Sequence, residues 1–248
     1  MVELVEGQDR ILLGSTWGVS FLAEKGQPYG QLNSIGYTRD STSGAVVVNE
    51  SSFPLTTPNK NFGSAYPDYT GGVTNEFSIY RFNVSTLIDF RKGGSIFSVT
   101  NQFGNYSGMF ENTVGTNAQG NPLRNPVGEG GGILVDGIKA DGSPNDVYVE
   151  AKQYYEATYD LNEQYIYDAS FIKLREVSIG RQLPAAWFEN NFITNASLSL
   201  TGRNLAILHK NAPNIDPDAA LSNGNVQGIE NGQNPSVRSF GVNLNVSF

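Results

Sequence analysis

The chain has 248 residues, a net charge of −8 and no cysteine. Binding to nucleic acid requires clustered Lys and Arg, so this charge argues against a nucleic-acid partner. The absence of cysteine excludes thiolate metal sites, a cysteine nucleophile and disulfides. Charged residues are only 16% of the chain, whereas 28 glycines and 11% aromatics indicate turns and half-buried strands rather than helices.

Five segments alternate large apolar and small polar residues with a period of two, the pattern of a β-strand whose two faces meet different surroundings. In chain order they are Val73–Ile79, Phe82–Arg91, Phe171–Arg181, Asn195–Arg203 and the last ten residues. In Phe171–Arg181 charged side chains share a face with apolar ones, so we expect a bulge or a crowded strand. We also expect a sixth strand to end near Met1–Glu6.

The final strand has the most regular pattern. Its apolar positions are Phe240, Val242, Leu244, Val246 and Phe248, and each is separated from the next by glycine or a small polar residue. Only a strand places these two sets of side chains on separate faces.

The connections between the predicted strands fall into two length classes. The short ones are Tyr80-Arg81 and Leu183–Phe192, and the long ones are Lys92–Tyr167 and Ile207–Asn234. Transmembrane barrels combine short periplasmic turns with long extracellular loops. With the C-terminus on the periplasmic side, both long connections and the segment Arg10–Thr70 fall outside the cell.

These patterns predict an all-β fold, an antiparallel transmembrane β-barrel. A membrane barrel needs at least about eight strands, because open edges leave unpaired backbone in lipid. About five strands cannot close, so residues 1–248 are expected to be the C-terminal part of a barrel whose earlier strands are missing. In agreement, Met1–Glu6 lacks the basic and apolar segments of a signal peptide, which we interpret as an N-terminus that is not the natural one.

Four segments resemble, in the same order, the C-terminal end of the SusC/RagA family of TonB-dependent outer-membrane transporters. They are Pro67–Phe77 continuing through Leu87–Gly94, Asp168–Ser178 followed by Leu183-Pro184, Leu200–Leu205 near Asp216-Pro217, and Pro235–Leu244. They lie in the family's order, with sensible gaps, within Gln27–Phe248, over which we extend the resemblance. Each segment alone is a weak signal, but four in order are a strong one.

The resemblance implies a bacterial outer-membrane barrel of 22 strands around an internal plug. Such a barrel works with a SusD-like surface lipoprotein as a lid and imports glycans or peptides with energy relayed by TonB. It implies contact with outer-membrane lipid and with the barrel assembly machinery, for which the strand ending at Phe248 resembles the recognition signal. The plug and the TonB-contacting segment have no counterpart here, so no energy-coupling residue can be assigned.

Six tyrosines crowd into twenty residues of the longest outer loop, and Tyr154, Tyr155 and Tyr159 are the candidates for contact with a ligand or with the lid. Sugar rings stack on aromatic faces, and tyrosine is favoured at protein interfaces. The alternatives are packing among loops and an aromatic girdle at the membrane surface, which suits Tyr165 and Tyr167 best.

Other chemically interesting residues have simpler explanations. Asp216 and Asp218 could ligate Ca²⁺, but a loop turn explains them better. His209 lacks catalytic partners and is expected in a solvated loop. Lys173, Arg175, Glu176 and Arg181 could line the lumen and meet a ligand, but ion pairing with one another along the barrel wall is the better explanation. No catalytic, metal or cofactor site is predicted.

Two other classes of protein remain possible at this point. A soluble antiparallel β-domain used in adhesion or glycan binding also has alternating strands. A passive porin would share the barrel but lack the plug and the coupling to TonB. An enzyme has the least support, because no set of nucleophile, base and orienting group can be assembled from the sequence.

Overall fold

The computed structural model describes residues 1–189, 192–218, 224, 226–234 and 236–248. Its strands are β1 (Arg10–Thr16), β2 (Val19–Glu24), β3 (Gln31–Tyr37), β4 (Thr56–Ser64), β5 (Tyr69–Ile79), β6 (Phe82–Lys92), β7 (Ser95–Ser98), β8 (Ile133–Leu134), β9 (Tyr148–Val149), β10 (Ile166–Asp168), β11 (Phe171–Gln182), β12 (Asn195–Lys210), β13 (Ile229–Glu230) and β14 (Ser239–Ser247). The helices are α1 (Val99–Tyr106) and α2 (Ala151–Ala157), with single 3-10 turns at Glu111–Thr113, Val127–Glu129, Asn162–Tyr165 and Ala185–Trp187. None of the helices in these residues is long and apolar enough to cross a membrane.

The five predicted strands form one antiparallel sheet in the order β14-β12-β11-β6-β5, which we call the wall sheet. Its strands have 9 to 16 residues, enough to cross a bilayer, for which about 9–11 tilted residues suffice. The sheet is open at β14 and β5. The antiparallel fold is thus confirmed, and the open sheet is consistent with a fragment of a barrel.

The strand register places apolar side chains together on one face of the wall sheet. Val242 lies opposite Leu200, Leu200 opposite Ile179, and Ile179 opposite Val84. Leu200 is 57% exposed and Val242 is 67% exposed. Burying apolar surface is worth about 25 cal/mol per Å², so such a row of bare side chains is costly in water. The hydrocarbon of a membrane removes that cost.

The expected bulge in β11 is present. The register shifts between Leu174 and Glu176 against both neighbouring strands, and against β6 the shift leaves Arg175 as the extra residue. An extra residue reverses the alternation of faces. Odd-numbered residues before the bulge therefore share a face with even-numbered residues after it, which explains why charged and apolar side chains looked mixed.

The described parts of the long connections are folded rather than loose. We call residues 10–64, 93–170 and 211–234 the loop assembly, within which β1–β4 form a separate four-stranded sheet. The hydrophobic core of the described chain lies here: Phe21, Leu32, Phe97, Tyr165 and Ile229 are completely buried. The sequence analysis did not predict these strands.

Two expectations about the elements are wrong. Met1–Glu6 contains no strand, since Val2 makes only an isolated bridge to Lys25 and hydrogen bonds with the turn after β2. Strand β12 continues past Arg203 to Lys210, so the following connection begins later than Ile207. Positions 190–191 of one predicted turn, 219–223 and 225 of the long connection and 235 of the fourth motif lie outside the described residues.

Candidate functional site: the polar wall and the loop assembly

The second face of the wall sheet is polar, as expected for the inside of a barrel. Ser178 lies between Ser85 and Thr201 in the strand register, and its hydroxyl is 3.0 Å from that of Thr201. Towards β14, Ser199 lies opposite Asn243. This face offers hydroxyl and amide groups to a polar solute passing along it.

Near the loop end of this face, five charged side chains form a network that we call the ion cluster: Asp89, Lys173, Arg175, Asp216 and Asp218. Lys173 pairs with Asp216 and lies 3.3 Å from Asp218. Arg175 joins Asp89 of the wall at 2.7 Å to Asp218 of the loop at 2.5 Å. The cluster therefore ties the connection after β12 to the wall.

The ion cluster explains Asp216 and Asp218 better than a Ca²⁺ site does. Burial opposes ionisation of Asp216, but hydrogen bonds from Lys173, Ser236 and the Asp218 amide outweigh it and lower the pKa of Asp216. The amide of Asp218 donates to Asp216 Oδ1 at 3.0 Å, which is the expected turn. Within the described residues, no three acidic or histidine side chains gather as a metal site would require.

The other charged residues of the wall differ from expectation in their partners. Glu176 pairs with Arg203 at 2.8 Å, and Lys173 and Arg175 pair with aspartates, so the four predicted residues do not pair with one another. Arg181 lies over the ring of Phe82 at 5.2 Å, because the bulge moves it to the apolar face. Neighbouring strands and the connection after β12 supply the partners that the linear sequence could not identify.

His209 is also placed differently from expectation. It belongs to β12 and lies opposite Ile172, rather than in a loop. Its side chain is exposed. The exposure agrees with the expectation of a solvated residue, but the residue lies in a strand and not in a loop. The reason is the seven-residue extension of β12 beyond Arg203.

The candidate tyrosines pack within the loop assembly and are half-buried. Tyr154 and Tyr155, both in α2, have ring centroids 5.3 Å apart, and the Tyr155 hydroxyl donates to the Asn112 carbonyl at 3.1 Å. Tyr159 packs edge-on against Tyr106 at 5.0 Å and against Phe103 at 5.6 Å. Part of each ring is still exposed, so packing and ligand contact are compatible.

Tyr165 does not belong to a membrane girdle, because it is fully buried in the core of the loop assembly. Tyr167 is half-buried, and burial raises its pKa to about 12. Both hydroxyls are therefore neutral at physiological pH, and Tyr165 acts as a core residue.

Glu163 is a charged residue that the sequence analysis missed. It accepts hydrogen bonds from Lys60 at 2.8 Å, Arg39 at 3.0 Å and the Tyr37 amide at 2.7 Å. Partial burial opposes its ionisation, yet these bonds outweigh that effect and lower the pKa of Glu163. Glu163 thereby fixes the 3-10 turn before β10 to strands β3 and β4.

A groove of about 680 Å³ lies where the four-stranded sheet meets the loop end of β5 and β6. Tyr29, Tyr66, Tyr167 and Asp68 are among its lining residues, and the rings of Tyr29 and Tyr66 are 5.6 Å apart. None of the described lining residues is Lys or Arg. Aromatic faces and carboxylate acceptors suit neutral polar solutes. No sequence signal identified this groove, because its tyrosines come from distant segments.

The apolar side chains of the final strand line the outer face of β14. Phe240, Val242, Leu244 and Phe248 are all exposed, Val246 is half-buried, and the ring of Phe248 stacks on that of Phe192 at 5.4 Å. The strand pattern is confirmed, whereas its use as an assembly signal stays a prediction.

Comparisons with known proteins agree with this architecture. The chain is 24% identical over 199 residues, 78% of its length, to TonB-dependent receptor P3 of Formosa agariphila, of which the match covers 18%. Structures of the RagAB peptide importer in its closed-closed and open-open states share the fold, with TM-scores of 0.61 and 0.60 and 18% identity. Each alignment covers 99% of this chain and 25% of the other. No family model matches the chain.

The chain thus spans about a fifth to a quarter of the proteins that it resembles. The relatives are named as a TonB-dependent receptor and a peptide importer. The four ordered motifs resemble the SusC/RagA family, the chain is similar to part of a TonB-dependent receptor, and it shares the fold of part of the outer-membrane β-barrel of RagAB.

Proposed function

We propose that the complete transporter containing this chain imports oligosaccharides or peptides across the outer membrane, with TonB supplying energy and a SusD-like lipoprotein closing the outer entrance. The observation that carries the proposal is a wall sheet with one apolar and one polar face, joined to a folded loop assembly. The names of the relatives, a TonB-dependent receptor and a peptide importer, support the same class of function.

The wall contributes a path that a polar solute can follow. The hydroxyls and amides of Ser178, Thr201 and Asn243 lie on its inner face, and the ion cluster holds the connection after β12 against that face. The loop assembly contributes aromatic surface at the outer end. Solutes rich in hydrogen-bonding groups match both parts, and large apolar solutes match neither.

The experiment that tests the proposal is uptake of labelled oligosaccharides and labelled peptides by cells that carry the complete transporter. We expect one of the two solutes to enter in a saturable manner and uptake to stop when TonB is deleted. Uptake that continues unchanged without TonB would instead identify a passive porin. Binding of both solutes by the isolated chain as a monodisperse soluble protein would support the adhesion-type β-domain.

Within this proposal, Tyr154, Tyr155 and Tyr159 contact the imported solute or the lid. The double substitution Tyr154→Ala with Tyr155→Ala removes the exposed ring surface of α2 and is expected to lower uptake, lid association or both. Tyr80→Ala is the matched control, because Tyr80 is fully exposed at the opposite end of the wall. If the double variant takes up solute and retains its lid as the unaltered transporter does, the tyrosines have only a packing role.

We further propose that Phe240, Val242, Leu244, Val246 and Phe248 are the strand that the barrel assembly machinery recognises. Phe248→Ala is expected to reduce the amount of folded barrel in the outer membrane while the synthesis rate stays the same. Phe192→Ala is the control, because it removes the stacking partner of Phe248 without altering the final strand. Equal losses in both variants would assign the effect to the aromatic pair instead of to the terminal signal.

A further inference from the structure

The outer face of the wall sheet contains a groove that the transport function does not use. Its volume is about 410 Å³, and it lies across β11, β12 and β14. Leu205, Phe240 and Val242 are among the residues that line it, together with Gly202. The groove faces the side of the sheet that meets the membrane.

Gly202 creates the depth of this groove. A Cβ atom at position 202 would lie 2.8 Å from Leu205 Cδ2 and 3.3 Å from Phe240 Cδ1. Leu205 and Phe240 therefore stand on either side of a position without a side chain. The β12 irregularity between Arg203 and Ala206 brings Leu205 back over Gly202, so the groove is a product of the strand geometry.

A membrane-facing groove of this kind has hydrocarbon as its natural occupant. Voids between apolar surfaces forfeit dispersion contacts, and a flexible acyl chain can fill an elongated depression that rigid side chains leave open. The occupant is thus expected to be a lipid of the surrounding membrane.

An arginine directly precedes the strand that lines the groove on one side. Arg238 precedes β14 by one residue and Phe240 by two, which is the spacing of neighbours on one face of an extended strand. Its side chain is exposed, and it makes no ion pair or hydrogen bond within the described part of the chain. Its charge is therefore free to meet an anionic group.

The height of Arg238 in the membrane fits a lipid headgroup. At about 3.3 Å per residue and roughly 45° of tilt, nine residues from the far end of β14 rise about 21 Å, close to the roughly 25 Å height of the apolar band. Arg238 thus reaches the outer interface, whereas the groove below it stays within the hydrocarbon. A long basic side chain at this level extends towards headgroups.

We propose that this face binds one membrane lipid with a phosphate-bearing headgroup, whose acyl chain fills the groove over Gly202 and whose phosphate pairs with Arg238. The acyl chain supplies contact area and the guanidinium supplies selectivity, since arginine binds phosphate through two parallel hydrogen bonds. The site lies outside the path of the imported solute. It does not depend on which solute is carried.

The test is native mass spectrometry of the complete transporter, purified and delipidated in detergent, with two probes. Phosphatidic acid carries the phosphate, and diacylglycerol with the same acyl chains lacks it. We expect phosphatidic acid to bind at one saturable site and about fivefold more tightly than diacylglycerol, because a basic residue near anionic lipid is worth about 1 kcal/mol.

Two variants separate the parts of the site. Arg238→Gln is expected to remove the preference for phosphatidic acid, and Arg81→Gln, an exposed arginine in the short turn at the other end of the wall, is expected to retain it. Gly202→Phe fills the groove and is expected to abolish binding of both probes. Val73→Phe adds the same bulk on the apolar face of β5, outside the groove, and is expected to bind normally.

The proposal fails if Arg238→Gln keeps the full preference, or if Arg81→Gln loses it equally, since lipids then bind the barrel surface without a defined site. If Gly202→Phe does not assemble, Val242→Trp covers the groove from its exposed wall and gives the same readout. Lipid occupancy is measured without transport, so loss of uptake activity would not count against this site.

Discussion

Replacing Lys173 by methionine tests whether the ion cluster holds the connection after β12 on the wall. Methionine keeps most of the length and the apolar stem of lysine but removes its charge. The substitution leaves Asp216 without its main partner and leaves Asp218 to Arg175 alone. The connection is then expected to open more often.

The expected magnitude follows from the burial of the pair. The side chains of Lys173 and Asp216 are only 5% and 8% exposed, so solvent screens their attraction little. Removing one partner of a buried ion pair costs about 3–5 kcal/mol, because the remaining charge stays desolvated. Arg175 still holds Asp218, so we expect about 3 kcal/mol, which corresponds to a roughly hundredfold larger opening constant.

Hydrogen–deuterium exchange of the complete transporter measures this opening. Peptides covering residues 211–218 are expected to exchange about a hundredfold faster in Lys173→Met. Lys152→Met is the matched control, because its partner Glu156 lies 3.7 Å away in an exposed helix pair that contributes little. The double variant of Lys173→Met with Asp216→Asn is expected to recover part of the protection, because no unpaired charge remains.

Unchanged exchange at 211–218 in Lys173→Met would refute the reasoning. The same conclusion would follow if Lys152→Met produced an equal effect. If the double variant exchanged faster than the two single variants together predict, Asp216 would have a stronger partner than Lys173.

Three further predictions concern other parts of the chain. Glu163→Gln removes a carboxylate oxygen that Lys60 reaches at 2.8 Å, and partial exposure limits the loss of stability to about 1–2 kcal/mol. Proteolysis of the loop assembly should become faster. An unchanged rate would show that Glu163 does not stabilise the loop assembly. Val242→Asp places a charge on the apolar face and should reduce the folded barrel in outer membranes, at a cost below the roughly 2–4 kcal/mol of a basic residue at the bilayer midplane. Asn243→Asp on the polar face should assemble normally, and equal yields of the two variants would reverse the assignment of faces. The pKa of Asp216 in the folded protein lies below its ordinary value of 3.8. The stability that this carboxylate contributes is therefore present above that value and is lost as the pH falls through the folded pKa. Faster hydrogen exchange at residues 211–218 should begin only below about pH 4, and an onset near pH 6 would implicate another group.

The wall strands could be predicted from the sequence because the two faces of a barrel wall impose a local rule. Phe240 to Phe248 alternate because one face meets lipid and the other meets polar groups, and this alternation is complete within ten residues. The bulge in β11 was also visible, since the charged side chains around Arg175 break the alternation. Such signals depend only on neighbours in the chain.

The structure decided the features that depend on residues far apart. Lys173 meets Asp216 across 43 positions, and Glu163 meets Arg39 across 124. No sequence signal identified Glu163, and the sequence favoured pairing of Lys173 with its neighbours on the wall and a loop turn for Asp216. The same applies to His209, which the length of β12 places on a strand.

The sequence by itself determined the antiparallel strands, their two faces and, through ordered motifs, the resemblance to a family of transporters. Only the tertiary structure decided that the long connections contain the hydrophobic core, that Tyr165 is buried there, and that Asp216 is tied to the wall. The physical reason is that alternation records what each side of a strand touches, whereas burial and ion pairing depend on which distant segments are brought together.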